Sequence, residues 1–428
     1  MDGGTGGRAE AVDARALFVS DERAWPRHSG YRRRTALILE ALAEVATVTW
    51  LLVPRRVGDD DSPSEIPDRL RERINPLFVT SPPRTRIDIA RRWATTGLPW
   101  PLAAGNWSEA EHVLAGLRTE PFDLLWSMGV DALAATRRAG LSVPRTIVDA
   151  DLESVKLERQ LAADPALTGL RRLIARVDVA RWRRLENHAA ATITAFSLCS
   201  ENEARLSGYD AWVTRNAYDV VEPAELEPST SLGRGRDLLF IGSLDYRPNR
   251  DAVLFFVSQV LPEVRRRSPG TTFRVIGAGI APGDPIGSEA GVRIVGPVDD
   301  LGPELAGAAA VVVPIRWGAG TRVKILEAFA HRTPVVSTTM GAEGLEVVSG
   351  RELLIADDAA GLAEACVAVL DDDDRASALA EAGHRLLTAR YSTDVVAGEL
   401  TGRLRGLLTR DADVPAGPGP ARRPAAGQ

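Results

Sequence analysis

The sequence predicts an α/β protein of two doubly wound, Rossmann-like domains facing each other across a cleft. Three observations predict it. Short apolar runs alternate with longer helical patterns along most of the chain. The runs are continuous rather than polar/apolar alternating, which means both faces of each sheet are covered. The alternation stops at a polar stretch broken by Pro and Gly, VVEPAELEPSTSLGRGR (220–236), and then restarts.

In the first array, RALFVS (15–20), TVTWLLV (47–53), PLFVT (76–80), FDLLWSMG (122–129), RTIVDA (145–150) and AATITAFS (190–197) read as buried strands, with a helix at 32–45. In the second, DLLFIGS (237–243), TTFRVIGAG (271–279), GVRIVGPV (291–298), AAVVVPI (309–315), TPVVST (333–338) and ELLIAD (352–357) do the same. Helices are expected at 249–267, 321–331, 359–370 and 375–389. The resulting domains are 15–221 and 237–390, joined by a linker at 222–236. A last helix within 391–409 is expected to cross back onto the first domain, and disordered tails are expected at 1–14 and 411–428.

Composition excludes several classes. With 45% apolar residues, the 428-residue chain has material for sizeable cores, and its net charge of −6 argues against nucleic acid as a partner. Cys199 and Cys366 have no CxxC or histidine neighbour, so they read as small buried hydrophobes, in keeping with a cytoplasmic protein. The first residues lack the apolar core of a signal peptide. No apolar run reaches the ~18 residues of a membrane span, so any membrane contact is peripheral. The richness in Ala, Arg and Gly suggests a bacterial source.

The most informative stretch is PIRWGAGTRVKILEAFAHRTPVVSTTMGAEGL (314–345). Gly318 and Gly320 stand where a buried strand hands over to a helix, with Thr321, Arg322 and Lys324 at its start. A helix start already gathers unpaired N–H groups and positive dipole, so added cations point to an anionic guest. Lys324, Glu327 and His331 share one helical face. The plain reading is a solvated Lys–Glu pair. The functional reading has Arg322 and Lys324 holding a diphosphate while the two carboxylate oxygens of Glu327 receive a vicinal diol.

This half of the chain resembles the donor domain of a GT-B glycosyltransferase of the family-4 (glycosyl transferases group 1) type. FIGSLDYRPNRDAVLFF resembles its first strand, glycine loop and helix, and VVVPIRWGAGTRVKILEAFAHRTPVVSTTMGAEGL its nucleotide-sugar signature. LFVSDERAWPRHSGYRRRTALILEAL and CSENEARLSGYDAWVTRNAYD extend the likeness more loosely to the first half. The resemblance implies a GT-B fold and transfer of a sugar from a nucleoside-diphosphate sugar to an acceptor hydroxyl. The acceptor is a saccharide, a lipid-linked sugar or a natural product. The reaction implied is retaining and metal-independent, with no cofactor. The chain departs from the family pattern at three points. Ala319 replaces the first of two glutamates spaced eight apart, and Ser243 and Asn249 replace an arginine and a lysine. Two alternatives follow: an inactive nucleotide-sugar-binding partner of another transferase, and a nucleotide-sugar epimerase.

The remaining candidates each have a plain reading. Gly242, Ser243 and Asn249 lie near phosphate, or Asn249 is simply a helix N-cap. The resemblance implies that Gly277, in VIGAGIAPG, lies beside the base; alone the partial glycine fingerprint is weak evidence for a dinucleotide. Asp151, in DAD, and His28 orient the acceptor; no metal is expected at DAD. The resemblance places Gly30 where the backbone nears the transferred sugar. Trp25 and Trp317 stack on a sugar or pack into a core. The run Arg32–Arg34 at a helix start opposes the dipole, which keeps an acidic ligand or an anionic membrane surface open.

Overall fold

The computed structural model describes residues 14–54, 66–164, 167–221, 235–280, 283–318 and 320–409. Ala319, most of the expected linker and nearly all of both expected tails lie outside the described residues. The first sheet holds β1 (Arg15–Ser20), β2 (Thr47–Leu52), β3 (Ile74–Phe78), β4 (Leu124–Met128), β5 (Arg145–Asp149), β6 (Ala195–Leu198) and β7 (Ala211–Val213). All its pairings are parallel, in the order β3-β2-β1-β4-β5-β6-β7. The second holds β8 (Asp237–Ile241), β9 (Thr272–Ile276), β10 (Val292–Gly296), β11 (Ala310–Val313), β12 (Val335–Ser337) and β13 (Leu354–Ile355). It too is parallel, in the order β10-β9-β8-β11-β12-β13.

Each order reverses beside its first strand, between β1 and β4 and between β8 and β11. Loops leaving the carboxyl ends of strands diverge at such a point and open a crevice. The covered faces explain the continuous apolar runs. In β1, Ala16 and Phe18 join one core cluster and Leu17 and Val19 another. Phe18 pairs in register with Trp50 on one side and Trp126 on the other, and all three are fully buried.

Six helices matter to the site: α1 (Gly30–Ala43), α2 (Glu153–Ala163), α3 (Glu201–Ser207), α4 (Arg247–Phe255), α5 (Val323–Ala330) and α6 (Thr393–Leu408). The last of these leaves the second domain and packs on α1, placing Leu400 and Leu404 in the first domain's core.

Two expectations change. The strand expected at 190–197 begins only at Ala195, because the helix Gly169–Ala190 reaches residue 190 and a turn at 191–194 follows it. The helix expected over 249–267 starts at Arg247 and is interrupted by a π-helical turn at Phe256–Val260. Pro262 lies just beyond that turn; lacking an N–H, it cannot continue the regular ladder.

Candidate functional site

The carboxyl ends of β8 and β11 converge on the start of α5. The chain leaves β8 at Gly242, with φ +146°. A Cβ there would stand 2.7 Å from Asn249 Nδ2 and 2.9 Å from Lys324 Nζ, so only glycine leaves room for both side chains. Asn249 is not the N-cap of α4; that position is Tyr246. Its side chain instead ties two parts of the site together. Nδ2 donates to the Ser243 carbonyl at 2.8 Å, and Oδ1 accepts from Lys324 Nζ at 3.0 Å. Ser243 Oγ accepts from Asp245 N and so closes a local turn. Gly277, φ +142°, lies behind this loop: a Cβ there would run into the Gly242 carbonyl.

Gly318 and Gly320 have φ +134° and +82°, values glycine tolerates and other residues rarely adopt. Arg322 is the N-cap of α5 and is 9% exposed, with its guanidinium folded back beside Gly318. Lys324 is half-buried, its ammonium 4.1 Å from the centre of the Phe240 ring. Burial, reinforced by Arg322, pushes its pKa down to about 7, against the pull of Glu327. Both the Phe240 face and Asn249 Oδ1 favour the charged form, but desolvation is the larger effect.

The Lys324–Glu327 pair of the plain reading does not form. Glu327 is half-buried, and among the described residues its carboxylate makes no ion pair and accepts no hydrogen bond. Burial raises its pKa above the ordinary value, with Arg33 and Lys324 opposing. His331, one turn on, is held down chiefly by burial. A half-buried carboxylate without a donor is costly until a ligand supplies one.

The first domain closes over this surface. The start of α1 meets the start of α5, and a Cβ on Gly30 would approach Val323 Cγ2 to 2.9 Å. Two positive helix ends thus face one place. Arg33 stacks on Tyr218 at 4.0 Å and pairs with Asp219 at 3.2 Å. Arg34 is bidentate to the buried Asp149, at 2.7 Å for each bond, and Arg32 pairs with Glu22. The basic run is therefore spent on internal pairs, which removes the sequence argument for an anionic membrane or acidic ligand there.

His28 is exposed on the loop before α1. Trp25 does not line the cleft: it is 7% exposed and packs edge-on against Trp50 in the core. Trp317 is likewise buried, at 4%. Asp151 is exposed and lies against Gly320, 3.6 Å from where a Cβ would stand. It shares that corner with Cys199 and Glu203, whose ligand atoms and its own all lie within 4.8 Å of one another. Such a group can in principle receive a metal. Here the Cys199 thiol donates to Glu203 Oε2 at 2.9 Å, and Glu203 Oε1 accepts from Gly320 N at 3.2 Å. Those bonds make the group an interdomain contact. Burial, with Asp151 next, raises Glu203 above its ordinary pKa.

The sequence reading missed Glu203 and Arg159. Glu203 stands three residues after Ser200, a spacing that reads as a capping box. Ser200 does cap α3, but Glu203 turns to Cys199 and to Gly320 of the other domain. No local signal marks such a partner.

Residues 235–372 match the family described as glycosyl transferases group 1. The chain is 34% identical over 173 residues to a glycogen synthase of Mycobacterium tuberculosis, covering 38% of this chain and 40% of that protein. It is 31% identical over 204 residues to a phosphatidyl-myo-inositol mannosyltransferase of Mycolicibacterium smegmatis, covering 45% and 51%. The chain thus spans about half, or less, of the length of these curated relatives. A sucrose-phosphate synthase of Thermosynechococcus elongatus superposes with a TM-score of 0.65 at 17% identity, over 92% of this chain and 99% of that one. Anabaena HepE in complex with UDP-glucose does so at 0.58 and 14%, also over 92% and 99%. The shared architecture is the two-domain GT-B fold.

Proposed function

We propose that this chain, with its GT-B fold and a match to the glycosyl transferases group 1 family at 235–372, transfers a sugar from a nucleoside-diphosphate sugar to an acceptor hydroxyl. The observation that carries the reading is Glu327, a half-buried carboxylate that accepts no hydrogen bond among the described residues, one turn beyond Lys324 on the helix whose start meets the start of α1. The donor ribose hydroxyls donate to Glu327. The diphosphate lies against Lys324, Arg322 and the free N–H groups opening α5. HepE, with the same fold, is described in complex with UDP-glucose, which supports a nucleotide-sugar guest.

In the transfer, the bond from the anomeric carbon to the diphosphate oxygen breaks as a bond to the acceptor oxygen forms. Negative charge develops on the leaving diphosphate. Preorganised donors aimed at such charge are each worth about 3–4 kcal/mol in a water-poor site. The leaving phosphate takes the acceptor proton, so the site needs no separate base; the reaction is retaining and metal-independent in this reading. Asp151 and His28 are the first-domain groups available to orient the acceptor, and the closed cleft keeps water from competing.

The replacement of a family glutamate by Ala319 favours one rival, a protein that binds the donor without turning it over. Incubation with UDP-, GDP- and dTDP-sugars and pooled hydroxyl acceptors separates them. Transfer predicts acceptor-dependent release of one nucleoside diphosphate, lost in Glu327→Ala. Binding without release under every acceptor supports the rival.

A further inference from the structure

The loop bearing Gly318, Gly320 and Thr321 belongs to the second domain, yet the first domain holds its backbone. Arg159, on α2, donates from Nη1 to the Gly318 carbonyl at 3.2 Å. The same guanidinium makes two bonds to Glu343, at 2.6 and 2.8 Å. Glu343 lies in the loop after β12 and also accepts from Asn202 of α3, at 2.9 Å. Two residues further along the glycine loop, Gly320 N donates to Glu203 Oε1 at 3.2 Å, and Thr321 N to Cys199 Sγ at 3.3 Å. Glu203 is fixed in turn, since its Oε2 accepts the Cys199 backbone N–H at 3.3 Å and the Cys199 thiol at 2.9 Å.

Glycine makes this loop expensive to order. It loses more backbone freedom than any other residue, and fixing one residue costs roughly 1–2 kcal/mol. The ordering contacts come from Arg159 and Glu203, across the cleft. Among the described residues, neither makes a hydrogen bond or ion pair with Lys324, Glu327 or Asn249.

We propose that Arg159 and Glu203 are positioning residues: on closure they hold the backbone at Gly318 and Gly320 where it presents Lys324 and the first N–H groups of α5 to the donor diphosphate. The inference rests on the donor-site reading above. Donor affinity then belongs to the closed chain rather than to the second domain, and by linkage the bound nucleotide favours closure equally.

The test is calorimetric titration of UDP and GDP into the full chain and five variants. Arg159→Ala and Glu203→Ala are each expected to weaken the bound nucleotide roughly tenfold, an ordinary size for coupling between sites. Glu203→Gln keeps an oxygen for the Gly320 N–H and is expected to restore most of the affinity. Arg215→Ala breaks an interdomain ion pair, Arg215–Glu346 at 3.2 Å, away from the glycine loop, and is expected to bind like wild type. Glu327→Ala reports on the donor site itself. Wild-type affinity in both Arg159→Ala and Glu203→Ala overturns the proposal. So does an equal loss in Arg215→Ala, which would mark all three as general interdomain glue. If Glu203→Ala does not fold, the more exposed Arg159 decides alone. No nucleotide binding to wild type, or undiminished binding to Glu327→Ala, removes the donor-site reading instead, and the proposal with it.

Discussion

At the scale of single residues, Lys324 and Glu327 carry the account, and they do so by being poorly satisfied. The Lys324 ammonium has a pKa of about 7, chiefly because it is buried. A diphosphate beside it raises that value again, so binding above pH 7 takes up a proton. Affinity is then greatest below the free-protein pKa and falls as pH rises above it, by about tenfold per unit. The phosphate itself has finished titrating by then, its last pKa being about 6. Titration between pH 7 and 9, in buffers of differing ionisation enthalpy, is expected to show this loss and an uptake approaching one proton. Lys324→Met is expected to bind weakly and without the pH slope. Of this candidate site, the helix-start cations and Glu327 could be proposed from the sequence because their spacing is local. Asn249 read either as a neighbour of phosphate or as an N-cap, and only the fold shows it reaching Lys324.

At the scale of elements, two close approaches depend on glycine. Gly277 lets the loop after β9 touch the backbone of the loop after β8. Alanine there needs a disfavoured φ as well as space the Gly242 carbonyl occupies. Gly277→Ala is expected to cost about 1–3 kcal/mol in urea unfolding. Gly30 lets α1 meet α5 through Val323. Gly30→Val is expected to prop the cleft open, raising the radius of gyration in solution scattering while the unfolding midpoint stays near wild type. Pairing it with Val323→Ala is expected to restore compactness. Strand positions were legible because continuous apolar runs mark strands covered on both faces. The three-residue β7 was not, being too short to show a period. Nor was the π-helical turn in the helix after β8, although Pro262 was in view.

At the scale of the whole molecule, the two sheets are joined by more than the segment between them. The chain returns through α6, whose Leu400 and Leu404 complete the first domain's core beside Trp50 and Trp126. Leu404→Ala is expected to cost about 2–5 kcal/mol, read through tryptophan fluorescence of a domain nearly two hundred residues earlier in sequence. Two doubly wound units could be read from the order of apolar runs. Their closure could not, because Arg159–Glu343 and Glu203–Gly320 join residues with no sequence relation. Sequence periodicity reports which face of an element is buried and is silent about which distant element buries it.

The measurement that bears most directly on the central claim is calorimetric binding of UDP, GDP and dTDP to wild type and to Glu327→Ala. The account predicts that one of the three binds wild type, and that losing the two charge-assisted ribose bonds weakens it roughly a hundredfold or more. Equal affinity in the two proteins, or no binding by the folded wild type, would contradict it.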